Sequence, residues 1–396
     1  MKPLSVILPV AEPARSLSWG VSYVGSLYSI LQEECQAEVD LGPAHFWRPR
    51  SGVDVILMQW PEALFDWRAI DADDVDELWS VMEEWNSLGT KVILFRHNLR
   101  PHILNSIHYE AVYLGLFERV DSVVHLGQYS RDECPKFNGV LHRIIAHPRY
   151  VQILPDIEHA RERLGLDAER PTLLVYGATR HKQELRVIRK AARLFVSKYG
   201  GQVLYGTFPI HLVTLKRGGR FFMPIVERWW KWRYNAKVHF GRLNGLVESD
   251  YLAAADFILL PRIEDHLNSG VLVKSLSLGI TPITTSVGNM AEIGRDFGLQ
   301  MLEDDSELGL DYLFQELLSR TESHSDGWKS HSADAWGREA IAGPLLAVLQ
   351  EVLTALPPKE VFLKAEGWDG LADAPVEPKN TNPVVRKLPR RRIPKT

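Results

Sequence analysis

The chain predicts an α/β protein with two doubly wound, Rossmann-like domains facing a central cleft, followed by a basic tail. Three observations predict it. Short buried apolar runs alternate with helical periods from Leu4 to about Ile283, the pattern of a parallel sheet covered on both faces. The cycle restarts at Pro171 after a charged helical segment. Polar, glycine-bearing segments follow strand ends in both halves, where open α/β sheets hold their ligands. With 396 residues, 45% hydrophobic and 24% charged, the chain suits two ordinary domains better than one core.

The elements follow in order. Leu4 to Pro9 reads as a strand and Ser18 to Glu34 as a helix with Gly20 and Gly25 near its start. Val53 to Gln59 is a second strand, and Asp73 to Leu88 a helix that carries its acids early, where they favour the dipole. Lys91 to Phe95, Ser122 to Leu126 and Arg143 to Ala146 are strands, with a helix over Ile107 to Glu118. The second cycle has a charged helix over Ile157 to Arg170, a strand Pro171 to Gly177, a helix Gln183 to Lys198, and strands Val203 to Tyr205 and Lys237 to Phe240. A short helix Glu248 to Ala254 completes it. Asp334 to Leu356 reads as a helix with an apolar face. The resulting organisation is a first domain over 1–156, a second over 157–333, a helix packing across both over 334–356, and a tail over 357–396. That tail is Pro-rich and from Lys379 onward holds seven Lys/Arg and no acid, so it reads as disordered.

The most informative stretch is Ala255-Asp-Phe-Ile-Leu-Leu-Pro-Arg262, continued by Glu264-Asp-His-Leu-Asn-Ser-Gly270 and a helical period through Leu278. A buried strand thus feeds a helix N-terminus, whose N–H groups and positive dipole end suit a phosphate. Gly177-Ala-Thr-Arg180-His-Lys182 places two cations after another strand-end glycine, as holding a departing diphosphate requires. In the first half, Trp60-Pro-Glu62 and Phe95-Arg-His97-Asn-Leu-Arg-Pro-His102 stand in the same relation to their strands. Glu62 and His97 are the candidate bases for an acceptor hydroxyl, with no means of choosing between them.

Composition excludes other classes. A net charge of -4 argues against general nucleic-acid binding. Cys35 and Cys134 are too few for a disulfide framework, which points to a reducing, cytoplasmic setting. Leu4 to Val10 reads as a first strand and no signal peptide, and no apolar run approaches the ~20 residues that span a bilayer. Asp71-x-Asp73 and Asp74-x-Asp76 match a metal-carboxylate spacing but sit where a helix begins, so no metal is expected. A dehydrogenase is disfavoured because no G-x-G-x-x-G follows the first strand.

Six phrases in register carry a resemblance: Trp60-Pro-Glu, His97-Asn-Leu-x-Pro-His102, His125 with Ser130, His147 with Tyr150, the ARxxLGL run from Ala160, and ADxxLLP with NSG at Asn268. Together they resemble the GT-B glycosyltransferases of family 4 type, in particular bacterial exopolysaccharide and β-mannosyltransferase-like members, over about residues 1 to 350. The resemblance implies transfer of a hexose-type sugar from a nucleotide-diphosphate donor to a glycan, glycolipid or other glycoconjugate, without a metal or other cofactor, in polysaccharide biosynthesis. It implies donor binding by Arg180, Lys182, Asn268, Ser269 and Gly270, a sugar contact for His97, and acceptor contacts for Trp60 and His102. The chain departs from the family where a glutamate pair usually binds sugar and ribose, since His266 and Lys274 stand at the nearest equivalents. A slip in the loop restores Glu264 as the sugar-binding acid, and Lys274 becomes a charge aimed at phosphate or an acidic sugar. Rival readings are a non-catalytic sugar-nucleotide or glycan-binding relative and a nucleotide-sugar epimerase of the same architecture.

Lys216 to Arg233 mixes basic and aromatic residues. One reading is an ordinary helix with core Trp residues; the other is a peripheral contact with an anionic bilayer at the inner face of the membrane, shared with the basic tail and natural for a lipid-linked acceptor.

Overall fold

The computed structural model describes residues 3–11, 19–101, 106–177, 179, 181–206, 219–239, 243, 245–263, 266–303, 306–319 and 324–355. Two all-parallel sheets organise them. The first contains β1 (Ser5–Leu8), β2 (Glu38–Leu41), β3 (Val55–Met58), β4 (Lys91–Arg96), β5 (Ser122–His125) and β6 (Leu141–Ile144), in the order β2-β1-β3-β4-β5-β6. The second contains β7 (Thr172–Val175), β8 (Gln202–Tyr205), β9 (Ala236–Val238), β10 (Phe257–Leu260) and β11 (Thr281–Thr284), in the order β11-β10-β7-β8-β9.

Around the first sheet lie α1 (Tyr23–Glu33), α2 (Pro43–Phe46), a 3₁₀ turn (Pro61–Phe65), α3 (Ala72–Ser87), α4 (Ile107–Arg119) and α5 (Gln128–Asp132). The second has α6 (Ile157–Leu164), α7 (Lys182–Tyr199), α8 (Gly219–Tyr234), α9 (Gly245–Ala253), α10 (Gly270–Leu278), α11 (Met290–Asp296) and α12 (Glu307–Ser319). The chain continues through α13 (His324–Trp336) and α14 (Arg338–Ala355). Strands β3 and β10 are apolar and buried at every position, and the other central strands carry polar residues only at their ends, because helices cover both faces. Val55, Leu57, Ile93 and Phe95 join one core, while Ile56, Met58, Val92 and Leu94 join the core on the opposite face. Each fully buried side chain of this kind contributes roughly 1.5–3 kcal/mol.

The structure corrects the boundaries where local chemistry is subtle. Strands β2 and β11 were not foreseen. Both are sheet edges, and Glu38 and Asp40 in one and Pro282 in the other are residues that central strands avoid. Helix α6 stops at Leu164 because Gly165 turns left-handed at φ 61°. The helix expected over 334–356 is broken at Gly337: Trp336 of α13 joins a core of the second sheet, whereas Ile341, Leu345, Val348 and Leu349 of α14 return to the first. The acids at the start of α3 form its cap, with Asp71 accepting from the Asp74 N–H and Asp74 from that of Asp71. Among the described residues no helix is long and apolar enough to cross a membrane.

Candidate functional site

Strand order marks the site. In the first sheet the chain passes from β1 to β2 on one side and then returns to β3 on the other; in the second it passes from β7 through β8 and β9 and returns to β10 beside β7. Crevices open outside the strand carboxyl ends at such reversals. The segments after β3, β7 and β10 are Gln59 to Phe65, Tyr176 to His181 and Pro261 to Ser269, so the sequence-predicted motifs leave the sheets at or next to these points.

On the first-sheet side an aromatic cluster surrounds His97. Trp60 stacks on its ring at 4.3 Å and 24°, and Tyr23 meets it edge-on at 4.7 Å. The His97 Nε2 lies 2.9 Å from Gln59 Oε1, a contact that fixes the ring's orientation. Tyr23 also packs on His147 at 4.9 Å. Burial pushes the His147 imidazole down to about 4, and its Nδ1–H donates to the Pro148 carbonyl at 2.7 Å, leaving the Nε2 lone pair available. Glu62 is fully buried in the 3₁₀ turn, with the Tyr113 hydroxyl 3.0 and 3.2 Å from its two oxygens. An enclosed carboxylate already engaged by a phenol is a weaker base candidate than His97.

On the second-sheet side Gly177, two residues past β7, has φ +91°, and a Cβ there would lie 2.9 Å from Arg262 Nη2. Glycine therefore serves both the turn and the close approach of Arg262. The Arg262 guanidinium is buried 3.7 Å from Glu184. Lys182 opens α7 and is exposed. Ser269 caps α10 by accepting the Leu272 N–H, and the first turn of such a helix carries N–H groups with no intrahelical acceptor. At Gly270 a Cβ would lie 3.2 Å from the Tyr150 hydroxyl and 3.5 Å from His147 Nε2. The α10 N-terminus thus meets the first sheet's cluster.

Lys274 is differently engaged from the charge expected at an open phosphate. Its ammonium is buried 2.8 Å from Glu248 Oε1 and lies 5.5 Å from the Tyr150 ring centroid. The Tyr176 hydroxyl donates to the same Glu248 oxygen. Arg180, Glu264 and His102 lie outside the described residues.

Asn268, expected on the donor, also joins the two sides, and sequence reasoning missed its companions Asn289 and Glu292. Asn268 donates to the His97 carbonyl at 3.1 Å and accepts from Asn289 at 2.6 Å, while Asn289 accepts the Ser130 N–H at 3.0 Å. Glu292 accepts the Gln128 N–H at 2.8 Å and also that of Tyr129. A Cβ on Gly127 would lie 2.5 Å from Asn289 Cγ, so this glycine permits the approach. No local pattern distinguishes Asn289 or Glu292 from ordinary residues at a helix start; only the facing layer gives them partners.

No family profile matches the chain, and no curated protein matches its sequence. Solved structures do. Sucrose-phosphate synthase from Thermosynechococcus elongatus is similar with a TM-score of 0.62 at 14% identity, over 89% of this chain and 100% of that one. A glycosyltransferase from Rickettsia africae gives 0.58 at 13%, over 90% and 100% of the two chains. Anabaena HepE in complex with UDP-glucose gives 0.62 at 10%, over 88% and 100%. At these identities the likeness establishes the fold: the chain has the GT-B architecture of two Rossmann-like layers.

Proposed function

We propose that this protein is a glycosyltransferase that moves a sugar from a nucleotide-diphosphate donor to a glycan or lipid-linked acceptor. The observation that carries the reading is the Ser269-capped N-terminus of α10, set at the β7/β10 reversal and facing His97, His147 and Tyr150 from the other layer. Breaking a glycosyl–phosphate bond places negative charge on the leaving diphosphate and positive character on the sugar. The helix end and Lys182, with Arg180 as its expected companion, supply fixed positive potential for that anion, which is metal-independent stabilisation. His97, its ring orientation set by Gln59 and Trp60, is the group we assign to the sugar and its acceptor hydroxyl. UDP-glucose in the HepE complex motivates a uridine nucleotide as the first donor to assay. Lys274, paired with Glu248, is assigned an indirect role on the donor through that carboxylate, in place of the ribose contact the resemblance implies.

The setting we propose is the cytoplasmic side of a membrane in polysaccharide assembly. Helix α8 supports it: Ile225, Trp229 and Trp232 are exposed at i, i+4 and i+7 spacing, which puts them on one face. Arg228, Lys231 and Arg233 are exposed beside them. Both composition readings of this segment apply to different residues, because Trp230 is buried against Tyr205 and Tyr234. An exposed aromatic and basic face suits an anionic interface.

The test is a thermal-shift screen of nucleotide sugars on the full chain, followed by turnover with glycan and lipid-linked acceptors and anomeric analysis of the product. Acceptor-dependent release of the nucleoside diphosphate is expected. Donor binding without turnover favours the non-catalytic relative, and donor conversion without acceptor favours the epimerase; either result overturns the proposal.

A further inference from the structure

Beside the contact between the layers, three side chains with metal-binding donors converge from the end of β5, the start of β6 and the second residue after α5. His125, Cys134 and His142 each present one ligand atom, and the three atoms lie within 4.8 Å of one another. His125 is fully buried and Cys134 nearly so, while His142 is half-buried. The His125 Nε2 and His142 Nδ1 are 3.0 Å apart, and the two rings are within 12° of coplanar.

We infer that these residues form a binding site for a zinc-type ion. The ligand set, one thiolate and two imidazoles, is borderline-soft and suits Zn²⁺. Two nitrogens at ~2.0–2.1 Å from one tetrahedral ion lie roughly 3.3 Å apart, close to the 3.0 Å found. For the ion to bind, the single proton that the facing nitrogens share and the Cys134 thiol proton, which burial holds on, must both be released, and the imidazoles must turn so that both lone pairs face the thiolate. His125 has the outer partner that such ligands use, because its Nδ1 lies 3.0 Å from Ser130 Oγ. His142 Nε2 is buried without a hydrogen-bond partner, so its ring is not held by a competing contact at that atom. The half-buried edge at His142 leaves the fourth position to water.

Charge sets the affinity. Arg96, Arg131, Lys136 and Arg143 surround His142 and oppose a divalent ion, and the Cys134 thiolate offsets part of that field. Binding is therefore expected in the micromolar range, weaker than in closed structural sites. The ion ties Cys134 to the β5/β6 edge and so fixes the Gln128–Ser130 segment, whose N–H groups bond Glu292 and Asn289. Its role is to position a contact between the two sheets, at Asn289, which in turn bonds Asn268.

The test uses full-length protein dialysed against chelator, then titrated with Zn²⁺ and with Co²⁺ as a spectroscopic probe. About one equivalent per chain, a thiolate-to-cobalt charge-transfer band and a zinc-dependent rise in Tm are expected. Cys134→Ser should remove the band and weaken zinc binding at least ~10-fold, whereas Cys35→Ser should do neither. His142→Gln gives the same losses through a half-buried position if Cys134→Ser fails to fold. Uptake far below one equivalent, or binding by Cys134→Ser or His142→Gln as tight as by the parent chain, overturns the site.

Discussion

Replacing Lys274 with Met removes an ammonium held 2.8 Å from Glu248, with the two side chains only 7% and 4% exposed. Removing one member of a buried ion pair leaves a buried charge uncompensated, which costs about 3–5 kcal/mol. The Tyr176 hydroxyl still donates to the Glu248 oxygen, which places the expected loss near the lower end, about 3 kcal/mol. The assay is urea unfolding followed by tryptophan fluorescence, comparing midpoints at constant slope. The double variant Lys274→Met/Glu248→Leu replaces the pair with apolar groups, and it should lie within about 1–2 kcal/mol of the parent. A single variant that loses under about 1 kcal/mol, or a double variant that loses the sum of the singles, refutes the pairing. The same double variant separates an internal role from direct donor contact. If Lys274 acts only through Glu248, Lys274→Met and Glu248→Leu alone should weaken donor binding to the same extent as the double; a further loss beyond about threefold in the double assigns Lys274 its own contact.

Other consequences are open to measurement. Gly177→Ala combines a φ of +91° with a Cβ 2.9 Å from Arg262 Nη2, so donor affinity measured by calorimetry should fall at least ~10-fold; a change under about twofold contradicts the placement of the donor. Since burial lowers the His147 pKa from 6.5 to about 4, the unfolded chain takes up that proton first as pH falls. Its contribution to stability is complete above about 6.5 and is lost between 6.5 and 4, and His147→Gln should show a shallower loss of urea midpoint across that window; parallel profiles argue against it. Trp229→Ser/Trp232→Ser should abolish flotation with anionic liposomes while leaving Tm nearly unchanged, whereas Trp230→Ala should cost about 3–5 kcal/mol of stability. Flotation of the double variant equal to the parent sinks the membrane reading.

Much of the architecture was legible in the chain because burial on both faces of a parallel sheet demands unbroken apolar runs. Val55–Met58 and Phe257–Leu260 satisfy that demand within four residues each, and Thr172–Val175 does so after its first residue. Edge strands carry no such demand, which is why Glu38–Leu41 and Thr281–Thr284 passed unnoticed. The site was legible in its motifs and less so in their geometry. Trp60, His97, Ser269 and Gly270 come together at the contact between the layers, but Glu62 is enclosed under Tyr113 and Lys274 is turned to Glu248. Neither outcome is visible locally, since Glu248 and Lys274 are 26 residues apart.

The repeated βα pattern, the strand-end loops and the capped helix at Ser269 are encoded locally, because apolar period, turn chemistry and capping act over a few residues. The strand order that makes β7 and β10 neighbours arises from long-range packing. So do the partners of Lys274, Asn289 and Glu292, and the meeting of His125, Cys134 and His142. The physical reason is the same in each case: hydrogen bonds, ion pairs and ligand sets depend on separations of a few ångströms, and chain proximity does not encode those separations once residues lie on different strands.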